Sequence, residues 1–130
     1  MIKKISVRTT GHEQLIDITS EIRKFVSDSN ILEGRVTIFI PHTTAAVTIN
    51  ENADPDVQHD LILALNRISP DLPEFRHMEG NSDAHTKSSI IGCSQDIIIN
   101  EGKLLLGTWQ GIYFCEFDGP RTRTAIIRID

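Results

Sequence analysis

Hydrophobic and polar positions alternate with period two near the start of the chain. Residues 2–9 alternate loosely, Thr10 and Gly11 break the pattern, and residues 15–18 resume it. Alternation on either side of a short polar break is typical of two strands joined by a turn. We therefore predict a β-hairpin at this end of the chain.

The spacing then changes to that of a helix. Apolar residues at positions 22, 25 and 26 stand at i, i+3 and i+4, which places them on one helical face. The preceding residues 19–21, Thr-Ser-Glu, offer capping side chains, and Asn30 or Gly34 is suited to end the helix. The first helix is therefore predicted to begin near residue 19.

A second helix is predicted from its first residues. Asp54 suits an N-cap, Pro55 suits the first helical position, and Asp56 places a carboxylate at the positive end of the helix dipole. An apolar stripe follows at positions 57, 61, 64, 65 and 68, and Pro70 closes it. The pattern thus predicts two helices in all.

The remaining apolar runs are short and rich in β-branched residues. They are predicted to be strands at residues 35–40, 45–50, 88–93, 96–99, 103–106, 110–117 and 122–129. Pro41 separates the first two because it cannot donate to a sheet ladder. Many short strands with few helices predict an α+β fold, a β-sandwich of mostly antiparallel strands with two helices, in a single domain over residues 1–130.

Composition narrows the classes of function. The 130 residues carry a net charge of −5, and their lysines and arginines form no run that would follow a nucleic-acid backbone. No stretch reaches the roughly 18 apolar residues of a membrane span, and no signal-peptide core follows the first lysines. We therefore expect a cytoplasmic protein that binds a small molecule and neither nucleic acid nor a membrane. Cys93 and Cys115 are expected to be small buried residues rather than a disulfide.

The segment HMEGNSDAH, residues 77–85, concentrates side chains that bind metals or transfer protons. A solvated loop is the simplest interpretation of so polar a stretch. Neutral imidazole is the commonest nitrogen ligand of zinc, and three histidines leave one coordination position open for water or substrate. We therefore predict a divalent metal site, zinc or magnesium, formed by His42, His77 and His85, provided that the segment folds back on itself.

Carboxylates near these histidines allow a second role, as oxygen ligands of Mg²⁺ or as general acid and base. Asp54 and Asp56 are already explained by helix capping, whereas Glu79 and Asp83 have no such explanation and are the stronger candidates. Glu51 belongs to the same set.

Other polar residues suggest contacts to a phosphorylated ligand. The threonine pair 43–44 offers hydroxyls to an oxyanion, and Arg121 and Arg123 can grip a phosphate with two hydrogen bonds each, with Lys87 as a lesser candidate. An exposed strand edge is the structural alternative for the arginines. Trp109, between two glycines, suits either stacking on a planar ligand or packing on a turn.

Three long segments carry most of these residues, and together they resemble a known family. They are PHTTAAVTINENADPDV at 41–57, HMEGNSDAHTKSSIIG at 77–92 and GKLLLGTWQGIYFCEFDGPRTRT at 102–124. In this order they resemble the YjbQ-like family, whose members have been linked to a secondary thiamine-phosphate synthase activity. The motif residues present are His42, Thr43, Thr44, Asn50, Glu51, Asp54, His77, Glu79, Asn81, Asp83, His85, Trp109, Gln110, Glu116, Asp118 and Arg121.

The resemblance implies an α+β domain that associates as a homotrimer, with a polar pocket near the subunit contacts built from the three segments. The activity it implies is a transfer that joins an aminopyrimidine-methyl diphosphate to a thiazole phosphate and releases diphosphate. Negative charge builds on the leaving diphosphate in such a reaction, so a metal ion with an arginine or lysine would stabilise it.

The resemblance also implies roles for most of the motif residues and for Lys87. The metal ligands would be His42, His77 and His85, the catalytic residues Glu79, Asp83, Asn81 and Glu51, and the substrate contacts Thr43, Thr44, Trp109, Gln110, Arg121 and Lys87. Two alternatives stay open, a metal-dependent hydrolase and a non-catalytic trimer that binds a small ligand.

Overall fold

The computed structural model describes residues 1–130 and contains eight strands and three helices. The strands are β1 Ile2–Arg8, β2 Gln14–Asp17, β3 Glu33–Phe39, β4 Ala45–Glu51, β5 Ser94–Asn100, β6 Lys103–Leu104, β7 Gln110–Glu116 and β8 Thr122–Ile129. The helices are α1 Thr19–Ser29, α2 Pro55–Ile68 and α3 Ser82–Ile91. None of the three is long and apolar enough to cross a membrane.

The strands form two antiparallel sheets that face each other. The larger sheet has the order β1-β8-β3-β5-β6, and the smaller has the order β2-β7-β4. One apolar cluster joins both sheets to α1, with Val36 and Ile127 from the larger sheet, Phe114 from the smaller one, and Ile22 and Val26 from the helix. The predicted α+β fold with a sandwich of antiparallel strands is confirmed.

Helices α2 and α3 cover the outer face of the smaller sheet. Leu65 of α2 and Ala84 of α3 pack against Cys115 and Phe117 in a second apolar cluster. Because β7 then has a helix layer on one face and the core on the other, every residue after its first is buried. Burial raises the pKa of the Cys115 thiol to about 12, so this cysteine is inert, as expected of a buried small residue.

Two predictions are wrong where helix α3 lies. The sequence pattern indicated a loop around residue 85 and a strand at 88–93, but residues 82–91 form a helix. The buried residues of α3 are Ala84, Lys87 and Ser88. Two are small and one is charged, and only Ile91 at the end of the helix adds a large apolar side chain, so the repeated apolar positions that normally reveal a helical face are missing here. The helix count is therefore three rather than the predicted two.

Strands β1 and β2 do not form the predicted hairpin. They lie in different sheets, where β1 pairs with β8 and β2 pairs with β7. Thr9, which follows β1, is buried and donates its backbone N–H to the carbonyl of Arg121, while the Arg121 N–H donates to the Thr9 hydroxyl. Contacts with the distant 117–121 segment thus outweigh the local turn signal.

The predicted helix ends are mostly confirmed. Helix α1 ends at Asn30, which has a left-handed backbone with φ of 59°. Helix α2 begins at Asp54, whose carboxylate accepts the N–H of Asp56. The start of α1 differs, because Asp17 rather than residues 19–21 supplies the side-chain oxygen, which accepts from the N–H and hydroxyl of Thr19.

Three connections cross between the sheets at one end of the sandwich. Residues 9–13 join β1 to β2, residues 40–44 join β3 to β4, and residues 117–121 join β7 to β8. The pairing register places them together, since Gln14 and Ala45 both pair with Glu116, and Arg8 pairs with Thr122. We call this region, residues 9–13, 40–44 and 117–121, the crossover end.

Candidate functional site

A cavity of about 550 Å³ opens at the crossover end, a volume that suits a small-molecule ligand. Helix α3 and the residues before it form the remaining side of the wall. The polar residues of the wall are His42, Thr43, Thr44, Glu79, Asn81, His85, Asp118, Arg121 and Arg123. The structure thus brings together candidates from all three sequence segments.

A buried ion pair between the two sheets supports this cavity. Arg123 of β8 and Glu116 of β7 have side chains that are 3% and 0% exposed. Arg123 donates from Nε to Glu116 Oε1 at 2.9 Å and from Nη2 both to the Glu116 carboxylate and to the Thr44 hydroxyl. Its Nη1 group makes no hydrogen bond within the protein and is not sealed from the cavity that Arg123 lines.

Glu116 remains ionised although it is buried. Burial by itself raises the pKa of a carboxyl, but hydrogen bonds from Arg123, from the Asp118 N–H and from the Thr9 hydroxyl outweigh it, so the pKa of Glu116 is lowered. The carboxylate therefore keeps its charge and fixes the orientation of the Arg123 guanidinium. The sequence interpretation assigned no role to Glu116 or Thr9, although Glu116 lies in a motif segment.

His42 is held in one tautomer by the backbone of β8. Its Nε2 accepts the N–H of Thr124 at 3.0 Å, and a neutral imidazole that accepts at one nitrogen carries its hydrogen on the other. Burial lowers the pKa of His42, and the nearby Arg123 and Arg121 guanidiniums lower it further. At neutral pH the ring is therefore uncharged, and its Nδ1–H is a donor.

The predicted three-histidine metal site does not form in this structure. A His42 ring that accepts at Nε2 and carries hydrogen on Nδ1 has no lone pair free for a metal. His77 lies outside the cavity wall, with its ring centroid 5.2 Å from that of His85 in an edge-to-face arrangement. No group of three or more His, Cys, Asp or Glu side chains is arranged to hold a metal ion. The three histidines therefore do not form the metal site expected from the sequence.

Asp118 organises the exposed side of the cavity. Its Oδ2 accepts from Asn81 Nδ2 at 2.8 Å and from Arg121 Nη2 at 3.1 Å, and its backbone carbonyl accepts from Arg121 Nε at 2.9 Å. Arg121 is half exposed, so the rest of its guanidinium is free to contact a ligand. Asp118 was missed as a site residue, although it stands in the EFDGPR segment beside Arg121.

Three residues predicted to share this site lie at the opposite end of the smaller sheet. Glu51 pairs with Gln110 at one end of the β4–β7 ladder, and Ala45 pairs with Glu116 at the other. Six residues along a strand span about 20 Å. Glu51, Gln110 and the exposed Trp109 are therefore remote from the cavity. The prediction failed because the sequence does not show which loops lie at the same end of a sheet.

Lys87 and Asp83 belong to a separate polar cluster. The Lys87 side chain is 1% exposed, and its Nζ donates to Glu13 Oε2 at 3.0 Å and to Asn66 Oδ1 at 2.6 Å. Asp83 Oδ2 lies 3.6 Å from the same nitrogen. This cluster fastens α3 to α2 and to the 9–13 connection, so both residues have structural partners rather than a place in the cavity wall.

Cys93 corrects a further expectation. It was predicted to be buried, but it is exposed and lines the cavity as a free thiol, so only Cys115 is a buried small residue. The two cysteines form no disulfide.

The chain belongs to the UPF0047 protein YjbQ-like family, whose model matches residues 3–130. It is 54% identical over 129 residues to UPF0047 protein MJ1081 of Methanocaldococcus jannaschii, which covers 99% of this chain and 94% of that protein. It is 52% identical over 130 residues to UPF0047 protein YugU of Bacillus subtilis, with 99% and 98% covered. A crystal structure of a YjbQ/UPF0047 family protein from Clostridium acetobutylicum superposes with a TM-score of 0.96 at 51% identity, covering 98% of this chain and 99% of that one.

The thiamine-phosphate synthase activity expected from the resemblance is a wrong prediction. These relatives are named only as UPF0047 proteins. A solved relative from Sulfolobus solfataricus is described as a YbjQ-like protein of unknown function; it has a TM-score of 0.95 and 31% identity, and the match covers 99% of this chain and 95% of that one. Family membership is confirmed, whereas the transferase activity has no support among these relatives.

Proposed function

We propose that this protein binds a small phosphate-bearing molecule in the cavity at the crossover end. One observation carries the proposal. Three hydrogen-bond donors without acceptors in the protein belong to residues that line the same cavity, namely Arg123 Nη1, His42 Nδ1–H and the free part of the Arg121 guanidinium. Guanidinium groups match the oxygens of phosphate in both charge and geometry.

Each donor is already held in place by another part of the protein. Glu116 holds Arg123, the Thr124 N–H holds His42, and Asp118 holds Arg121. Both guanidiniums are close enough to lower the pKa of His42, which supports a single group of donors. A ligand that meets fixed donors loses less conformational entropy than one that must order them.

The wall also contains side chains able to exchange a proton with the ligand. Glu79 and His85 line the cavity, and neither side chain makes a hydrogen bond within the protein. A free carboxylate and a free imidazole beside a bound phosphate ester are suited to general acid and base chemistry. Substitution of Glu79 or His85 is therefore expected to slow the reaction of any phosphate ester that the protein converts.

We also propose that the chain assembles as a homotrimer, as its resemblance to the family implies. The outer face of the larger sheet supports this, because Phe39 and Ile98 are exposed there while their strand neighbours Ile38 and Ile97 point into the core. Exposed apolar side chains on a sheet face that no helix covers are available for a protein contact.

Binding of ethyl phosphate, measured by isothermal titration calorimetry, tests the proposed function. Arg121→Gln is expected to weaken binding about tenfold or more, because a charge-assisted hydrogen bond to the phosphate is lost. The matched control is Arg67→Gln, since Arg67 is an exposed arginine in the last turn of α2 that lies outside the cavity wall and away from the larger sheet. Absence of binding by the unaltered protein, or equal loss in both variants, would contradict the proposal.

A further inference from the structure

We infer that the ligand of this cavity is a phosphate ester that carries an amino group, an aminoalkyl phosphate rather than a simple phosphate. This inference rests on the proposed function and deepens it. Its basis is a set of acceptors in the cavity wall, formed by Asp118, Glu79 and Asn81, which a simple phosphate does not satisfy.

Two carboxylates of the wall have oxygens that accept no hydrogen bond within the protein. Asp118 pairs with Arg121 through Oδ2, whereas its Oδ1 has no donor, since His12 Nδ1 at 3.9 Å is beyond hydrogen-bond distance. Glu79 makes no ion pair and no hydrogen bond. A phosphate dianion held by Arg121 and Arg123 faces these negative charges, so a ligand with an ammonium group removes a repulsion and adds an attraction.

Asn81 provides an acceptor that lacks a donor. Its Nδ2 donates to Asp118, and its Oδ1 is buried with no hydrogen-bond partner in the protein. Rotating the amide by half a turn is not a remedy, because it would place the carbonyl oxygen against the Asp118 carboxylate. A buried acceptor without a donor is unfavourable, and Asn81 lines the same cavity as the two carboxylates.

The wall thus combines donors for a phosphate with acceptors for a cation. A hydroxyl group on the ligand would supply a hydrogen to Asn81 but would leave Glu79 without a counter-charge. An ammonium group supplies both hydrogen and charge, which is why the geometry favours an amine over an alcohol.

Three phosphate esters of nearly equal size separate these possibilities. They are O-phosphoethanolamine, 2-hydroxyethyl phosphate and ethyl phosphate, which differ only in an amine, a hydroxyl or a hydrogen at one carbon. Titration of the full chain followed by NMR chemical shifts is expected to show that O-phosphoethanolamine binds about tenfold or more tightly than ethyl phosphate. The hydroxyl compound is expected to fall between them.

Two variants test whether the preference for the amine-bearing ester arises from the cavity wall. Glu79→Gln removes one exposed carboxylate of the wall and is expected to bring the preference for the amine towards parity. Glu101→Gln, at an exposed carboxylate in the turn between β5 and β6, is the matched control and is expected to keep the preference.

The outcomes distinguish this inference from the function on which it rests. Equal affinity for the amine and the ethyl ester overturns the aminoalkyl assignment and leaves phosphate binding standing. No binding of any of the three esters overturns both. A preference that survives in Glu79→Gln and in Asp118→Asn also overturns the inference, because the acceptors named here would then not be its cause.

Discussion

At the scale of the residue, the Arg123–Glu116 pair joins the two sheets and orients the buried guanidinium towards the cavity. A charge taken out of water is stable only if its partner and its hydrogen bonds are present. Glu116 supplies the partner, and Thr9, Thr44 and the Asp118 N–H complete the hydrogen bonds. The pair is therefore a structural element of the fold as well as a part of the site.

Arg123→Met is expected to lower the free energy of unfolding by about 3–5 kcal/mol, because Glu116 is left buried without its counter-charge. The double variant Arg123→Met/Glu116→Leu is expected to lose clearly less, since it removes both charges. Urea denaturation followed by circular dichroism measures both values. Equal losses in the single and double variants would show that packing around Arg123, and not its charge, stabilises this region.

Single residues also show how much of the site the sequence could predict. His42, Glu79, Asn81, His85 and Arg121 were selected for their chemistry, and all five line the cavity. Their arrangement was not predictable, because the hydrogen bond that fixes His42 comes from a backbone N–H 82 residues away. The residue type indicates which chemistry a side chain can perform. Which ring nitrogen of a histidine is free to do so can be determined only from the folded structure.

At the scale of the element, the crossover end depends on close packing of three connecting segments. Gly119 is the tightest point, because a Cβ there would collide with the Gly11 carbonyl oxygen and lie 2.8 Å from the Thr9 hydroxyl oxygen. Only a residue without a side chain allows the 117–121 and 9–13 segments to approach this closely.

Gly119→Ala is expected to lower the free energy of unfolding by about 3 kcal/mol, because the backbone oxygen of Gly11 cannot move aside as a flexible side chain would. Gly11→Ala, on the facing segment, is the control, since its Cβ would meet the Glu13 carbonyl oxygen at an ordinary 3.6 Å. Thermal unfolding of both variants makes the comparison. If Gly119→Ala proves as stable as the control, the close approach of these segments is contradicted.

Elements differ in how well the sequence predicts them. Helix α2 was predictable because Asp54, Pro55 and Asp56 mark its start and an apolar stripe continues it. Helix α3 was not, because its buried face consists of Ala84, Lys87 and Ser88, which carry no apolar period. The alternation of apolar and polar residues predicted where strands occur. It did not predict which strands pair, because a strand shows the same alternation whichever strand lies next to it.

At the scale of the whole molecule, the sandwich is unequally covered. Helices α2 and α3 shield the smaller sheet, whereas the outer face of the larger sheet has no helix packed on it. The proposed trimer would cover part of that face and would bury the exposed Phe39, which also lines the cavity. Because Phe39 would belong to both the cavity wall and the subunit contact, ligand binding is expected to stabilise the trimer, and trimer formation is expected to strengthen ligand binding.

Light scattering after size-exclusion chromatography is expected to give a mass of about three times 14.6 kDa for the unaltered protein. Ile98→Lys places a charge on the outer face of the larger sheet and is expected to yield a smaller species. Leu63→Lys, an exposed apolar residue on α2, is the control and is expected to leave the mass unchanged. A monomer mass for the unaltered protein would contradict the proposed assembly.

The central claim is that a phosphate group binds among the donors of His42, Arg121 and Arg123, and the titration of His42 tests it most directly. Without ligand the His42 pKa lies below the ordinary 6.5, because of burial and of the arginine charges. A bound phosphate stabilises the imidazolium, so NMR titration of the ring at saturating ethyl phosphate is expected to give a higher His42 pKa than without it. The exposed His59 on α2 serves as the internal reference. A His42 titration curve that does not move at any ethyl phosphate concentration would contradict the claim.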